Sequence, residues 1–261
     1  MSVTPSLELE PHGADTYVGA SPRYPWGRIY GGLVVAQALT AATATVDPEH
    51  HVHSLHAYFI LGGVTNQPVR YEVDRLRNGR SFSTRRVVAR QSSGAILNLA
   101  SSFQRQEDGP VVQGATRPEA PPPDDVPASQ WEAGFEYREV HPSPESGRSL
   151  AWARYTAPLD DDPRAHAAAL AYMSDANPMD AIFGRHPVTV RQEEWHDTFV
   201  SASLDHAVWF HRPVRADEWL LFDMRSPFVG GSRGIARGEV FQGDELVASI
   251  AQEGLLCVKT R

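Results

Sequence analysis

Cysteine is all but missing from this chain of 261 residues, where Cys257 stands alone. A single thiol excludes an intramolecular disulfide framework and any metal site built on several cysteines. No apolar run reaches the roughly 18 residues that a membrane-spanning helix needs. The first residues, Met1-Ser2-Val3-Thr4-Pro5-Ser6-Leu7-Glu8, carry neither the basic flank nor the apolar stretch of a secretory signal, so a soluble, cytoplasmic protein is expected. Positive charge is also in deficit: 24 Lys+Arg face 32 Asp+Glu, for a formal net charge of −8. That balance argues against a nucleic-acid surface as the main business of the chain. What is present is apolar material, 41% hydrophobic residues against 21% charged, which suffices for a packed core. At roughly 150 residues per domain, the length suits one large domain or two small ones.

The clearest break in composition lies between Glu107 and Glu145, where Pro118, Pro121, Pro122, Pro123, Pro127, Pro142 and Pro144 accumulate beside Asp124 and Asp125. Such a stretch continues neither a helix nor a central strand, and it reads as a semi-rigid surface connector. It divides the chain into residues 1–106, a linker 107–145, and residues 146–261. The two flanks repeat one another. In the first, β-like runs start at His56 and cover residues 69–76, 81–90 and 95–104, with an Asn78-Gly79 turn. In the second they start at His206 and cover 219–224, 232–241 and 245–256, with a Gly243-Asp244 turn. His56 to Gln104 spans 48 positions and His206 to Gln252 spans 46, which aligns the two histidines and the two glutamines.

A helical pattern precedes each set of strands. Residues 33–42, after Gly31-Gly32, are apolar almost all round, as befits a helix inside a protein. In the second half Asp162 is a good N-cap, Pro163 suits the first helical position, and the Ala-rich helix is expected to stop near Asn177-Pro178. The expected class is α+β, two repeats that each wrap an antiparallel sheet around one buried helix.

Three polar residues stand where the pattern asks for apolar ones. Asp175 ends the Ala-rich helix, where the dipole is already negative and a carboxylate is disfavoured. It is either a polar cap or a working carboxylate with a perturbed pKa. Ser203 lies within an expected strand over residues 199–210. Gln252 shares a strand face with Leu246, Ala248 and Ile250, and must find partners there or cost on the order of 1–3 kcal/mol. Capping a neighbouring backbone group is the plain alternative for it.

Several segments carry a resemblance to a known family. Tyr30-Gly31-Gly32-Leu33-Val34-Val35-Ala36-Gln37, His53-Ser54-Leu55-His56-Ala57-Tyr58-Phe59 and Arg77-Asn78-Gly79-Arg80-Ser81-Phe82 resemble acyl-CoA thioesterase II. So do Leu204-Asp205-His206-Ala207-Val208-Trp209-Phe210-His211-Arg212-Pro213 and Val247-Ala248-Ser249-Ile250-Ala251-Gln252-Glu253-Gly254. The resemblance spans residues 23–258, interrupted by the Pro-rich connector. It implies a double hotdog fold and the hydrolysis of a fatty acyl-CoA to free acid and CoA. It also implies a catalytic trio, which falls on Asp175, Ser203 and Gln252. In that reading Asp175 takes a proton from a water that Ser203 and Gln252 hold in line with the thioester carbonyl, and no metal or redox cofactor is required. Ser203 pairs with no histidine, which favours an orienting role over a covalent one.

Further expectations concern the substrate. Backbone N–H groups at Gly31 and Gly32 are candidates for an oxyanion site. Arg77, Arg80, Arg85, Arg86, Arg233 and Arg237 lie around strand turns, with Arg80 and Arg233 the chosen candidates for CoA phosphates. The first repeat reads as degenerate, with His53 in the place of Ser203 and Gln104 in that of Gln252. The cluster of His50, His51, His53 and His56 has no carboxylate placed to complete a metal site, and His206 reads as a packing or supporting residue. A hotdog enoyl-CoA hydratase, marked by Asp-x-Asn-Pro-x-His, is the rival enzyme, but Asp180 replaces its histidine in Asp175-Ala176-Asn177-Pro178-Met179-Asp180. A non-catalytic acyl-CoA-binding protein is the other alternative. An exposed sheet edge favours association of two chains through their sheets.

Overall fold

The computed structural model describes residues 6–129, 134–140, 147–190 and 194–259. The end of the expected connector, residues 141–145, lies outside them. Helix α1 (Gly31–Thr43) is followed by β3 (His50–Phe59), β4 (Val69–Asn78), β5 (Phe82–Gln91) and β6 (Gly94–Arg105), with short strands β1 (Glu10–Pro11) and β2 (Thr16–Gly19) before it. The second half comprises β7 (Phe135–Glu139), β8 (Arg148–Tyr155), α2 (Pro163–Met173), α3 (Asn177–Arg185), α4 (Trp195–Thr198), β9 (Phe199–Ser203), β10 (Asp205–Phe210), β11 (Leu220–Gly230), β12 (Arg233–Gln242) and β13 (Glu245–Val258).

The strands form one antiparallel sheet in the order β1-β2-β4-β5-β6-β3-β10-β13-β12-β11-β8-β7, with β9 paired to β13. The order β4-β5-β6-β3 is mirrored by β10-β13-β12-β11, so the halves meet edge to edge at β3 and β10, where His56 faces Ala207. The ladders supply the true alignment of the repeat. The tight turns at Gln91↔Gly94 and Gln242↔Glu245, and the bulges after Ala89 and Val240, correspond one for one. Leu55 and His206, Ser101 and Gln252, and Arg85 and Ala236 each differ by 151 positions. The sequence expectation that His56 matches His206 and Gln104 matches Gln252 is therefore corrected. It is out by an odd number of residues at His56, and a one-residue slip moves a strand's side chains to the opposite face. His56 is exposed and His206 buried.

Helix α1 is buried along ten of its thirteen residues, consistent with its uniformly apolar sequence. It lies on β3, β4, β5 and β6 and packs against α2. In the second half two helices share that work: α2 meets α1, and α3 lies on β8, β11, β12 and β13. Asp162 caps α2 by accepting from the Arg164 N–H at 3.0 Å, with Pro163 opening the helix. The expected stop near Asn177-Pro178 is instead a new start. α2 ends at Met173, and Pro178 sits in the first turn of α3, where its missing N–H has no helical partner to lose.

The proline-rich stretch is more than a linker. Trp152 Nε1 donates to the Pro121 carbonyl at 3.0 Å, Gln113 bridges Ala115 and Asp244, and Val126 packs with Leu150, Trp152, Leu221 and Phe241 on the outer side of the sheet. Residues 135–139 are strand β7 itself. This cover explains why β8 escapes detection by alternation: Leu150 and Trp152 lie under the connector while Ala151 and Ala153 face the main core, so both faces are apolar.

Arg85 closes the far end of α1. Its guanidinium, 1% exposed, donates to Thr45 Oγ1, Asn78 Oδ1 and the carbonyls of Thr45, Arg77 and Thr84 at 2.7–3.0 Å. Removing a buried donor set strands several acceptors, each worth roughly 1–3 kcal/mol. Arg85→Met is expected to lower the urea midpoint by the equivalent of roughly 2–4 kcal/mol, and Arg85→Lys to restore little of it, because a point charge cannot fill a planar fork. An unchanged midpoint in Arg85→Met would show that water replaces the guanidinium without cost.

Candidate active site

Asp175 sits in the joint between α2 and α3 and is 7% exposed. Its position after the C-terminus of α2 is not its whole electrostatic environment, because the Gly32 N–H at the start of α1 donates to it. The carboxylate therefore meets the positive end of one helix as well as the negative end of another. Ser203 Oγ donates to Asp175 Oδ1 at 3.2 Å, and Gln252 Nε2 donates to Ser203 Oγ at 2.9 Å. Burial nevertheless dominates and pushes Asp175 up to about 7, against the lowering influence of Ser203, Gly32 and Gln252. A carboxyl poised near neutrality can both exist as a base and pass its proton on.

Ser203 is the last residue of β9, not the middle of a continuous strand over 199–210. Leu204 breaks the run and ties the two pieces to their neighbours, its N–H donating to Glu253 and its carbonyl accepting from Phe59. The break leaves Ser203 half-buried at a cavity. Gln252 reaches the trio from the inner face of β13, with Ala248 and Ile250. Leu246 does not share that face. The bulge after Val240 turns it to the outer side, where it packs with Trp152 and Phe241.

The cavity measures about 490 Å³, and Asp175, Ser203 and Gly31 lie in its wall beside Trp26, Phe59 and Met179. Both glycines are demanded by close approach. A Cβ on Gly31 would lie 2.7 Å from Asp175 Oδ2, and one on Gly32 would run into the Tyr172 carbonyl of α2. Because the Gly32 N–H is already bonded to Asp175, Gly32 holds the carboxylate instead of an oxyanion. Arg80 and Arg233 are not brought to this cavity. Arg80 lines a separate cavity with Thr45, His50, Arg75, Arg85 and Arg105, beyond the opposite end of α1, and Arg233 pairs with Glu253 at 3.2 Å on the exposed side of the sheet. The histidine cluster disperses too: His53 Nε2 meets Ser102 Oγ at 2.8 Å and His56 stands edge-on to Trp209.

Two features were not read from sequence as parts of the site. Asp180 lies in the same cavity, accepts from the Tyr137 hydroxyl at 3.2 Å, and is pushed well up by burial and by the nearby charge of Glu139. His206 is fully buried, with Nδ1 2.5 Å from Gln252 Oε1 and Nε2 2.7 Å from Ser174 Oγ, and burial pushes its pKa down to about 4. Its sequence signal was only the Asp205-His206 pair, read there as packing or support because a histidine also stands at His56.

Comparison with known proteins places the chain. Family models described as the acyl-CoA thioesterase N-terminal domain and C-terminal domain match residues 20–104 and 113–256. The chain belongs to the acyl-CoA thioesterase II family. Acyl-coenzyme A thioesterase 8 of Homo sapiens is 35% identical over 98% of this chain and 89% of its own length. A solved acyl-CoA thioesterase II, TesB2 from Mycobacterium marinum, is 39% identical, with a TM-score of 0.83 over 97% of this chain and 96% of that one. A hot dog fold protein of unknown function from Alicyclobacillus acidocaldarius, 21% identical, shares the fold with a TM-score of 0.78 over 98% of this chain and 97% of that one. Membership of the family carries with it the hydrolysis of acyl-CoA thioesters.

Proposed function

We propose that Asp175, Ser203 and Gln252 form the hydrolytic centre, with Asp175 as general base and the other two as the cradle of the attacking water. The observation that carries this reading is their direct contact, with Ser203 between the carboxylate and the amide and with Asp175 and Ser203 in the wall of the cavity. Asp175 takes one proton from the water as its oxygen attacks the thioester carbonyl. The tetrahedral intermediate then collapses to the free acid, the C–S bond breaks, and the departing CoA thiolate takes the proton that Asp175 holds, which restores the carboxylate. Ser203 is paired with Asp175 and Gln252 and with no histidine, which favours an orienting role for its hydroxyl over covalent attack.

The acyl chain would occupy the 490 Å³ cavity, whose wall includes Ile29, Val34, Phe59, Ile96 and Phe183. A double hotdog is the architecture that best accounts for the mirrored strand order about β3 and β10 and the 151-residue offset. We further read the chain as a cytoplasmic homodimer that associates through its sheets. In favour of that association, Tyr58 and Trp209 leave large apolar side chains exposed on the neighbouring strands β3 and β10.

Thiol release from a panel of saturated acyl-CoAs tests the reaction, with crotonyl-CoA hydration as the control for the rival enzyme. Hydrolysis is expected throughout the panel's preferred lengths, with no hydration, since Asp180 stands where the hydratase pattern has histidine. Ser203→Thr keeps a hydroxyl and is expected to stay within a few-fold of the wild type, whereas Ser203→Ala loses on the order of 10²-fold in kcat through misplacement of the water. Equal activity in the alanine variant would remove Ser203 from the centre.

A further inference from the structure

We infer that His206 is a positioning residue for hydrolysis, locking the Gln252 amide in the one orientation that completes the centre. This rests on the reading of Asp175, Ser203 and Gln252 given above. The argument begins at the ionised base. Ser203 Oγ–H is directed at Asp175 Oδ1, so Ser203 must receive a hydrogen bond from its other side, and Gln252 Nε2 supplies it. The amide oxygen of Gln252 then faces His206 Nδ1 at 2.5 Å. Two acceptors cannot meet at that distance, so Nδ1 carries the ring proton and donates it. Nε2 is left bare opposite Ser174 Oγ at 2.7 Å.

The result is a one-way series from His206 to Gln252 to Ser203 to Asp175, with Ser174 Oγ opposite Nε2 and the Ala171 carbonyl, at 2.9 Å, as the other acceptor within reach of its single proton. Turned round, the Gln252 amide would present its oxygen to Ser203, draw the hydroxyl proton to itself, and deprive Asp175 of its donor. His206 is what distinguishes the two amide orientations.

Packing alone does not call for a histidine here. The corresponding residue of the first repeat is Leu55, equally inaccessible, in a row that continues through Ser101 and Arg85 as His206 continues through Gln252 and Ala236. An apolar side chain satisfies the same place in the same sheet. At this position the imidazole stands in the repeat that holds Asp175 and Gln252, and leucine in the other.

That precedent supplies the test. His206→Leu is expected to fold with a normal circular dichroism spectrum, to keep KM within a few-fold, and to lose on the order of 10²-fold in kcat. His206→Asn places an amide N–H where Nδ1 was and is expected to recover most of that loss, though it cannot reach Ser174. In the wild type, nitrogen-15 spectra of the ring should show a protonated Nδ1 and a bare Nε2. The inference is overturned if folded His206→Leu turns over normally, if the loss falls on KM instead of kcat, if His206→Asn is no better than His206→Leu, or if the ring proton sits on Nε2. Should His206→Leu not fold, the asparagine variant and the ring spectrum still decide. Failure of the underlying reading looks different: Asp175→Asn would then retain hydrolysis, whatever the His206 variants do.

Discussion

Asp175→Asn is expected to remove nearly all hydrolysis and, at neutral pH, to make the protein more stable. The first effect is the loss of a general base, worth roughly 10²–10⁴-fold. The second follows from the raised pKa, about 7 in the folded protein against 3.8 for an ordinary aspartate. As pH rises through that window the unfolded chain gives up this proton before the folded one does. Folding stability is thus lost from near pH 4 upward and the loss levels off above pH 7. At ~1.4 kcal/mol per pKa unit the ionised carboxylate costs on the order of 4 kcal/mol. An asparagine carries no charge to desolvate and recovers part of it, the remainder being offset by an amide N–H₂ that fits the Ser203 and Gly32 donors less well. Urea unfolding of both proteins at pH 5 and pH 8 is the check: the advantage of the variant should be larger at pH 8. The same titration governs the rate, so kcat/KM of the wild type should rise through an apparent pKa near 7. A variant that is less stable at both pH values, or a rate flat from pH 5 to pH 8, contradicts this account of the site.

Gly32→Ala should be damaging although helix propensity favours it. Alanine in a helix interior is better than glycine by roughly 1 kcal/mol. Here the added methyl meets the carbonyl oxygen of Tyr172, a backbone atom of α2 that no rotamer change can move, and the ring of Tyr30. The two helices must part, at a cost of roughly 1–3 kcal/mol for overpacking. Because Tyr172 lies one turn before Asp175, the shift also draws the carboxylate away from the Gly32 N–H, and a displacement near 1 Å costs on the order of 10² in rate. Gly114, which has nothing within 4 Å of the added Cβ, is the control, and Gly114→Ala should be silent. Thermal unfolding and thiol release on the two variants separate the effects. A Gly32→Ala protein as stable and as active as the wild type would mean that α1 and α2 are not held at this distance.

Much of this was written in the order of residue types. The apolar stretch after Gly31-Gly32 is helix α1, Asp162-Pro163 starts α2, and the runs around the Asn78-Gly79 and Gly243-Asp244 turns are β4, β5, β12 and β13. These are local matters of period, cap and turn chemistry, and short windows suffice to read them. The trio of Asp175, Ser203 and Gln252 was nameable because family motifs surround each member.

Where sequence reasoning failed, the deciding contact was remote. The repeat was aligned on matching histidines and glutamines, yet strand pairing sets the offset at 151 and puts His56 and His206 on opposite faces. Nothing local distinguishes Arg80 from Arg233 either, yet α1 separates the first from Asp175 and Glu253 engages the second. The start of α3 at Asn177-Pro178 reads equally well as a helix end. β8 lacks alternation since the connector buries its outer face.

By itself, the sequence determined the family, the class of reaction, helices α1 and α2, the hairpins at Asn78-Gly79 and Gly243-Asp244, and the three residue types of the proposed centre. Each of these is carried by a contiguous segment. Only the tertiary structure decided how those segments act on one another: that the start of α1 faces Asp175, that burial lifts this carboxyl to about 7, and that His206 stands behind Gln252. A pKa and a hydrogen-bond direction depend on the local dielectric and on groups distant in the chain, and these exist only once the sheet has closed over its helices.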